Sequence, residues 1–356
     1  PARPVKSGSG LILIVDDEEQ NLELAKIILQ KEGYNLLFAS NGREALECMD
    51  ENEIHVLVLD LLMPVMNGFE TLEHVRALNK DMQTIVVTGA SGFLAKHIIN
   101  QLSTIDCQVT PVSRKKVSSA IQIDDYIDTP KADILVHLAE ESNRKKVNKM
   151  GSRYIEYSSS VVTALVEKFN GHVIYASSAT VYGDKGKVPY TVDSPTYITD
   201  AYSESKITNE KIVLESGGVV LRLSNVYGNG MSPNNVMSDI VKQLQDDKIV
   251  VNDATPIKDF ISVTDVAKLV GVIVQSNFKG IVNVGSGTPV SIFQLIEAFL
   301  NVNRHAIKEI SSRNKSEKTS INVLDISNTK KIFNWAPSGS LEKNLHTLLS
   351  IKQNYI

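Results

Sequence analysis

The chain has 356 residues, of which 42% are hydrophobic and 22% charged, and its formal net charge is −4 at pH 7. This length and composition predict two or three ordinary globular domains. The slight negative charge argues against a nucleic-acid partner, and no apolar run approaches the roughly 18 residues that would indicate a membrane span. Two cysteines, Cys48 and Cys107, fall in elements expected to belong to different domains, so we expect buried thiols and a cytoplasmic location.

The first ordered elements are expected after residues 1–10, which lack an apolar centre and read as a linker or tag. Asp16 and Asp17 follow the first predicted strand, and Asp60 follows the third. Because parallel strands joined by helices end at one edge of a sheet, three carboxylates would meet there, and Mg²⁺ would offset their repulsion. The predicted elements are a buried strand at 11–15, a helix near 19–32, a strand near 34–39, a helix near 42–51 and a strand at 56–59.

The run VDD at 15–17, together with LDLLMPVMNG at 59–68, resembles the receiver domain of bacterial response regulators. The resemblance implies that Asp60 is the phosphoacceptor, that Asp16 and Asp17 help to hold Mg²⁺, and that a histidine kinase is a partner. It covers residues 11–81, a partial (βα)3 flavodoxin-like unit, whereas a whole receiver has five such units. The acidic edge then either takes part in phosphotransfer or persists as a metal site without signalling.

This truncation leaves a strand edge open. The fourth receiver strand would fall on residues 84–88, which also form the first strand of a second predicted fold, and one strand cannot easily serve two sheets. We therefore expect the open edge of the third strand to be covered by another segment or by another chain.

A glycine-rich turn, TGASGFLA at 88–95, lies between an apolar strand and a helix. Its glycines permit a tight turn and a close approach of the backbone to a pyrophosphate at the helix N-terminus. The turn predicts a dinucleotide site, and the expected contacts are Gly89, Ser91, Gly92, Phe93 and Leu94.

The next two strands should border the same site. The strand at 108–112 is followed by Ser113 and Arg114, and a basic residue there suits a 2′-phosphate, which favours NADP over NAD. In the alternative, Arg114 stacks on the adenine, which is compatible with either cofactor. The buried strand at 133–139 would bring Leu138 and Ala139 to the cofactor.

Ser178 and the pair Tyr202 and Lys206 indicate redox chemistry at a carbinol or ketone. Residues four apart on a helix lie on one face. A phenol is a poor acid or base at neutral pH, but a neighbouring ammonium favours the phenolate. A serine hydroxyl can then hold the substrate oxygen whose proton moves.

Seven motifs follow one another over the last part of the chain: TGASGFLA at 88–95, DILVHLAE at 133–140, YASSATVYGD at 175–184, YSESK at 202–206, LRLSNVYGNG at 221–230, KDFISVTDVA at 258–267 and NVGSG at 283–287. With them, residues 82–356 resemble the extended short-chain dehydrogenase/reductase family, which includes the NAD(P)-dependent nucleotide-sugar epimerases. The resemblance implies an α/β, Rossmann-type doubly wound parallel sheet with a small C-terminal substrate lobe, here about 226–258 and 286–356.

The family's catalytic residues carry over to Ser178, Tyr202 and Lys206, and the lysine would also bond the nicotinamide ribose. Members of the family form homodimers through a four-helix bundle. The helices predicted near 159–169 and 202–215 would supply it here.

The substrate implied by the resemblance is a nucleotide-diphosphate sugar. Asn225 would contact its diphosphate, Lys258 stands where the family has an arginine that grips the same group, and Thr180 is a further predicted contact. Dehydratases of the family carry an Asp-Glu pair directly after the active-site Ser or Thr. Here those positions are Ala179 and Thr180, so a 4,6-dehydratase is not expected.

Three functions stay open at this point. A 4-ketoreductase would consume NADPH once per turnover, and the basic residue Arg114 favours it. A 4-epimerase would oxidise C4 and return the hydride after the keto-sugar has turned, and SSATVYGD at 177–184 resembles epimerases closely. The third is a non-enzymatic NAD(P)-binding regulator with a phosphorylation input from the receiver-like part.

Overall fold

The computed structural model describes residues 10–78, 83–184, 189–303, 308–314 and 319–353. The chain divides into two compact units, with the boundary between residues 82 and 83. Among the described residues, every helix is too short or too polar to span a bilayer.

The first unit alternates strands and helices. Its elements are β1 (Leu11–Val15), α1 (Glu19–Lys31), β2 (Asn35–Ala39), α2 (Gly42–Glu51), β3 (Val56–Leu59) and α3 (Gly68–Leu78). The strands form a parallel sheet in the order β2-β1-β3. The central strand β1 is an uninterrupted apolar run, as expected for a strand covered on both faces, and Leu13 and Val15 pack in a small core with Ala39, Ala45 and Met63.

The outer edge of β3 has no partner strand in the described part of this chain. Val56 and Val58 on that strand are 50% and 48% exposed. The expectation that another segment of the chain covers this edge is therefore wrong for the described residues. Coverage by another chain stays a prediction.

The second unit contains the remaining elements. Its strands are β4 (Gln83–Thr88), β5 (Cys107–Ser113), β6 (Ile121–Gln122), β7 (Ile134–His137), β8 (Val173–Ser178), β9 (Val219–Leu223), β10 (Asn225–Tyr227), β11 (Lys248–Val251), β12 (Ile257–Lys258), β13 (Phe260–Ser262), β14 (Gly280–Val284), β15 (Val290–Ser291), β16 (Glu309–Ser312) and β17 (Ile321–Asn322). Its helices are α4 (Phe93–Leu102), α5 (Arg144–Met150), α6 (Ser152–Lys168), α7 (Ala201–Glu215), α8 (Val236–Lys242), α9 (Val263–Val274), α10 (Ile292–Val302), α11 (Ser327–Phe333) and α12 (Leu341–Gln353), with 3₁₀ turns at Tyr126–Asp128 and Ala179–Tyr182.

Seven parallel strands form the main sheet of this unit, in the order β14-β9-β8-β7-β4-β5-β6. Strand β4 lies between β5 and β7, so both of its edges are paired within this sheet. The predicted Rossmann-type parallel sheet is confirmed. Since all seven strands run the same way, their carboxyl ends share one edge of the sheet, where ligands of such folds bind.

Helices cover both faces of the sheet. Apolar side chains of α4 and α9 pack in one core, and those of α6 and α7 pack in the other. Helices α6 and α7 lie against each other, as the predicted four-helix bundle requires of each copy. The bundle itself, and with it the homodimer, stays a prediction.

The C-terminal part of the chain is divided between two cores. Residues of α8, α10 and α12 form a separate apolar cluster around Leu295 and Phe299, which is the small lobe. Phe333 and Trp335, although they come late in the chain, pack with α4 and α9 in the main core. The lobe therefore does not include the segment around these two aromatic residues.

Candidate active site

The carboxyl edge of the seven-stranded sheet brings the predicted site residues to one region. The glycine turn follows β4, Ser113 ends β5, Ser178 ends β8 and Asn225 follows β9. The sequence separates these positions widely, and they share one edge of the sheet because every strand is parallel.

The glycine turn fits a dinucleotide. Gly89 has φ of 75°, and a Cβ there would lie 3.1 Å from Ala139 Cα and 3.2 Å from the Leu138 carbonyl carbon. Gly92 is the N-cap of α4 and makes no side-chain cap, so the first amides of the helix that begins at Phe93 stay available to a phosphate. The turn and the end of β7 thus form one backbone cradle that a side chain would fill.

The end of β5 places Ser113 and Arg114 differently. The Ser113 side chain is buried, and its Oγ accepts a hydrogen bond from the Lys115 amide at 3.0 Å. The Arg114 guanidinium lies 5.0 Å from the centroid of the Tyr126 ring, and its Nη1 is 3.4 Å from the Tyr157 hydroxyl. Arg114 is thus an exposed cation at this strand end, followed by the exposed Lys115 and Lys116, and its geometry suits either a 2′-phosphate or stacking.

Ser178 begins the 3₁₀ turn that follows β8. Its Oγ accepts hydrogen bonds from the Thr180 amide at 3.3 Å and from the Thr180 hydroxyl at 3.0 Å. Because both of these contacts use Ser178 as an acceptor, its own hydroxyl proton is available to a ligand.

Tyr202 and Lys206 lie on the first turns of α7. Asp200 caps this helix and forms a reciprocal capping box with Ser203, which determines where the helix begins. The Lys206 Nζ lies 6.0 Å from the centroid of the Tyr202 ring. Within the described residues, the Tyr202 hydroxyl makes no hydrogen bond, so it is free to meet a substrate.

The partner of Lys206 is a residue that the sequence analysis did not select. Glu140, which follows β7 after Leu138 and Ala139, forms a buried ion pair with Lys206, whose Nζ also donates to the Ala176 carbonyl at 2.7 Å. Burial alone would raise the pKa of Glu140, but Lys206 and the surrounding hydrogen bonds hold it below its ordinary value. A glutamate at the end of the buried run DILVHLAE is the sequence signal that could have marked it.

A cavity of about 350 Å³ adjoins Ser178. It brings together the four predicted residues Ser178, Thr180, Asn225 and Lys258. Tyr202 is not part of its lining. Three further lining residues that had not been assigned to the substrate are Arg144, Asp184 and Asn322.

The cations of this cavity are Lys258, which is partly buried, and Arg144, which is exposed. Burial lowers the pKa of Lys258, Asp184 opposes this effect, and the nearby Arg144 adds to it. The Lys258 Nζ donates to Ser320 Oγ at 2.6 Å, and Arg144 pairs with Asp200. An anionic ligand would relieve the repulsion between these two cations.

The first unit has its own cluster. Asp16, Asp17 and Asp60 each place a carboxylate oxygen within 4.8 Å of the others. The predicted meeting of three acidic side chains at the sheet edge therefore occurs, and such oxygens are the ligands that Mg²⁺ prefers.

Known proteins match both parts of the chain. The response regulator receiver domain family matches residues 12–122 and the NAD dependent epimerase/dehydratase family matches residues 85–285. The overlap falls on β4, β5 and β6, and the structure assigns all three strands to the seven-stranded sheet. The receiver sheet consequently has three strands in the part of the chain described, although its family match extends further.

Individual relatives each match a part of the chain. A UDP-glucose 4-epimerase of Corynebacterium glutamicum is 24% identical over 300 residues, which cover 71% of this chain and 90% of that protein. RMD from Pseudomonas aeruginosa, solved complexed with NADPH, has a TM-score of 0.67 and 21% identity, and the match covers 77% of this chain and all of that one. The autoinducer 1 sensor kinase/phosphatase LuxN of Vibrio harveyi is 33% identical over 102 residues, 29% of this chain, and the chain spans only 12% of its length. Since the epimerase match covers more than half of the 356 residues, the chain belongs to the NAD dependent epimerase/dehydratase family.

Proposed function

We propose that the second unit is an NADP- or NAD-dependent oxidoreductase that acts at C4 of a nucleotide-diphosphate sugar, as a 4-ketoreductase. The cavity beside Ser178 carries the proposal, because it combines hydroxyl groups for a sugar with two cations for a diphosphate. The glycine turn, Arg114, Leu138 and Ala139 would hold the dinucleotide. When bound, the nicotinamide supplies the hydride that reduces the sugar carbonyl.

The protein's own groups would handle the proton. Ser178 Oγ, which still has a hydrogen to donate, would hold the carbonyl oxygen at C4. The free hydroxyl of Tyr202 would give its proton to that oxygen. The Lys206 ammonium would stabilise the phenolate that remains and would bond the ribose of the cofactor.

The diphosphate would lie between the cations of the cavity. Arg144 and Lys258 supply the charge, and Asn225 supplies an amide. Lysine keeps the charge of the family's arginine but not its bidentate fork, so Arg144 would compensate for the missing geometry.

We do not propose a dehydratase, because the two positions after Ser178 offer no Asp-Glu pair. Ala179 is buried and apolar, and the Thr180 hydroxyl donates to Ser178. Elimination of water requires groups that accept and donate protons, and neither residue does so at neutral pH.

A 4-epimerase is the second candidate. It is favoured by the match to a UDP-glucose 4-epimerase over 90% of that protein's length. The same Ser178 and Tyr202 would serve both reactions, which differ in whether the cofactor is consumed.

The test uses the full chain with NADPH and a panel of nucleotide 4-keto-6-deoxy sugars, followed by the loss of NADPH absorbance. We expect net oxidation that Tyr202→Phe abolishes and that Tyr34→Phe, in the first unit, leaves unchanged. Inversion at C4 of a UDP-hexose without net oxidation would establish the epimerase instead. Neither activity, with the dinucleotide still bound, would overturn both proposals and favour the regulator.

For the first unit, we propose that Asp60 accepts a phosphoryl group from a histidine kinase, with Mg²⁺ held by Asp16, Asp17 and Asp60. The close approach of their oxygens supports this assignment. Incubation with a phosphorylated kinase should add one phosphoryl group to the chain, and Asp60→Asn should prevent it. If the wild-type chain is not labelled, the cluster is a metal site without signalling.

A further inference from the structure

Glu140 lies at the centre of a buried polar cluster. Its side chain and that of Lys206 are each 8% exposed. Ser158 Oγ and Asn209 Nδ2 donate to its Oε1 at 2.6 and 2.7 Å. The Tyr175 hydroxyl donates to Oε2 at 2.7 Å, and the Lys206 ammonium donates to the same oxygen. Four donors therefore converge on one carboxylate.

This arrangement requires charge on both members of the pair. A carboxylate that only accepts hydrogen bonds is ionised, since a protonated carboxyl would have to donate one. Burial alone would lower the pKa of Lys206, but Glu140 raises it above its ordinary value. The lysine thus keeps its proton in a dry environment because the carboxylate lies beside it.

We propose that Glu140 is a positioning residue for the Tyr202 and Lys206 pair, which holds the lysine charged and oriented and leaves one of its N–H donors for a ligand hydroxyl. This proposal rests on the function proposed for that pair. An ammonium has three donors, and Glu140 and the Ala176 carbonyl use two of them. The third has no partner among the residues that the structure describes, and a ribose hydroxyl of the dinucleotide would fit it.

Other ionisable groups surround the pair without replacing the carboxylate. They are Tyr202 and Glu210 on α7, Tyr175 on β8, His137 on β7 and Tyr154 on α6. Burial lowers the pKa of His137 to about 4 and raises those of Tyr175 and Tyr154, so these three are uncharged at neutral pH. Glu210 already pairs with Arg222. Glu140 is therefore the counter-charge of Lys206 in this part of the site.

The test follows the lysine itself. In the full chain labelled with ¹³C-lysine, without cofactor or substrate, the Lys206 signal is assigned by comparison with Lys206→Arg. We expect no titration of this signal between about pH 6 and 10 in the wild type. In Glu140→Gln, burial of the ammonium without its counter-charge should lower the pKa of Lys206 by at least about one unit. Its signal should then titrate between about pH 6 and 10. Glu140→Asp keeps the negative charge, so the pKa of Lys206 in this variant should lie close to that of the wild type.

Binding of the dinucleotide gives a second measurement. Glu140→Gln should weaken the binding of NADPH about tenfold, because the donor to the ribose is no longer held in place. The matched control is Glu141→Gln. Glu141 is the adjacent carboxylate, it also pairs with a lysine, Lys146, and that pair is more exposed. We expect the control to leave both the Lys206 titration and NADPH binding unchanged.

Two results would overturn the proposal. One is a Lys206 signal that titrates at the same pH in Glu140→Gln as in the wild type. The other is a wild-type Lys206 that loses its proton below about pH 9, because such a lysine is not held charged by Glu140. This measurement needs no variant, so it applies even if Glu140→Gln does not fold. Because the titration uses no substrate, a failed ketoreductase assay beside a confirmed titration would refute the function and not the role of Glu140.

Discussion

Replacing Glu210 with glutamine should destabilise the second unit by about 3–5 kcal/mol. Glu210 and Arg222 are a buried ion pair, with side chains that are 4% and 6% exposed. The Arg222 Nε lies 3.1 and 3.2 Å from the two carboxylate oxygens, and its Nη2 lies 2.7 Å from Oε2. The glutamine would leave the guanidinium charged, buried and without a counter-ion.

The remaining contacts of Arg222 cannot compensate. Its Nη1 keeps neutral acceptors only, the Tyr182 hydroxyl at 2.9 Å and the Val192 carbonyl at 3.1 Å. Ser177, which donates to Glu210, loses a charged acceptor as well. Since 1 kcal/mol moves the melting temperature of a domain of this size by about 2–4 °C, the loss corresponds to a fall of about 6–20 °C.

The assay follows the fluorescence of Trp335 during denaturation by urea. It is the only tryptophan of the sequence, it is 8% exposed, and it packs in the core of the second unit, so its signal reports the unfolding of that unit. Glu215→Gln, at an exposed position on the same helix, is the matched control and should change the stability by less than about 0.5 kcal/mol. A double replacement, Glu210→Leu with Arg222→Met, should cost less than Glu210→Gln alone, because it removes both charges.

The reasoning fails if Glu210→Gln unfolds within about 1 kcal/mol of Glu215→Gln. It also fails if the double replacement is more destabilising than the single one. The loss of stability would then come from disrupted side-chain packing and not from an unpaired buried charge.

Three further predictions follow from single residues. Burial lowers the pKa of His137 from 6.5 to about 4, so between these pH values the unfolded chain binds a proton that the folded chain does not. The contribution of the neutral His137 to stability is therefore present above about pH 6.5 and is lost as the pH falls to about 4. Between about pH 6.5 and 5, urea unfolding of the wild type should therefore lose about 1.5 kcal/mol more than His137→Gln, and equal losses would contradict this. Gly89→Ala should weaken NADPH binding about tenfold in a fluorescence titration, because the added Cβ would meet backbone atoms. The control is Gly217→Ala, which should bind NADPH normally. Gly217 also has a positive φ, but a Cβ there would meet only the flexible Lys279 side chain. Calorimetry should show that Asp60→Asn binds Mg²⁺ about tenfold more weakly than the wild type or Glu53→Gln, and equal affinity would place the metal elsewhere.

The residues at strand ends could be predicted from the sequence because they depend on local patterns. An apolar run followed by glycines or by Asp16 and Asp17 marks where a strand stops, and parallel topology then brings such stops to one edge. The glycine turn at Gly89 was predicted in this way, whereas the pair Tyr202 and Lys206 was predicted from its four-residue spacing on a helix.

We placed residues 84–88 in the second fold because of the glycine turn that follows them, but the strand by itself does not decide which sheet contains β4. Residues 83–88 are an apolar strand that suits either the receiver or the dinucleotide fold, and both family matches cover most of it. Only pairing with β5 and β7 assigns it to the second unit, because hydrogen bonds to two neighbours exclude a third. Because β4 belongs to the second unit, the outer edge of β3 has no strand beside it in the described part of the chain.

By itself, the sequence predicted the fold class of each unit through motifs that resemble known families, and it predicted the glycine turn and the pair Tyr202 and Lys206 from short-range spacing. The tertiary structure alone decided the partner of Lys206, since Glu140 lies 66 residues away and no local pattern relates the two. The same holds for Arg144 at the cavity, which the sequence shows only as one of several basic residues. Contacts between distant segments depend on how elements pack, and packing is a property of the whole chain that periodicity within one segment does not contain.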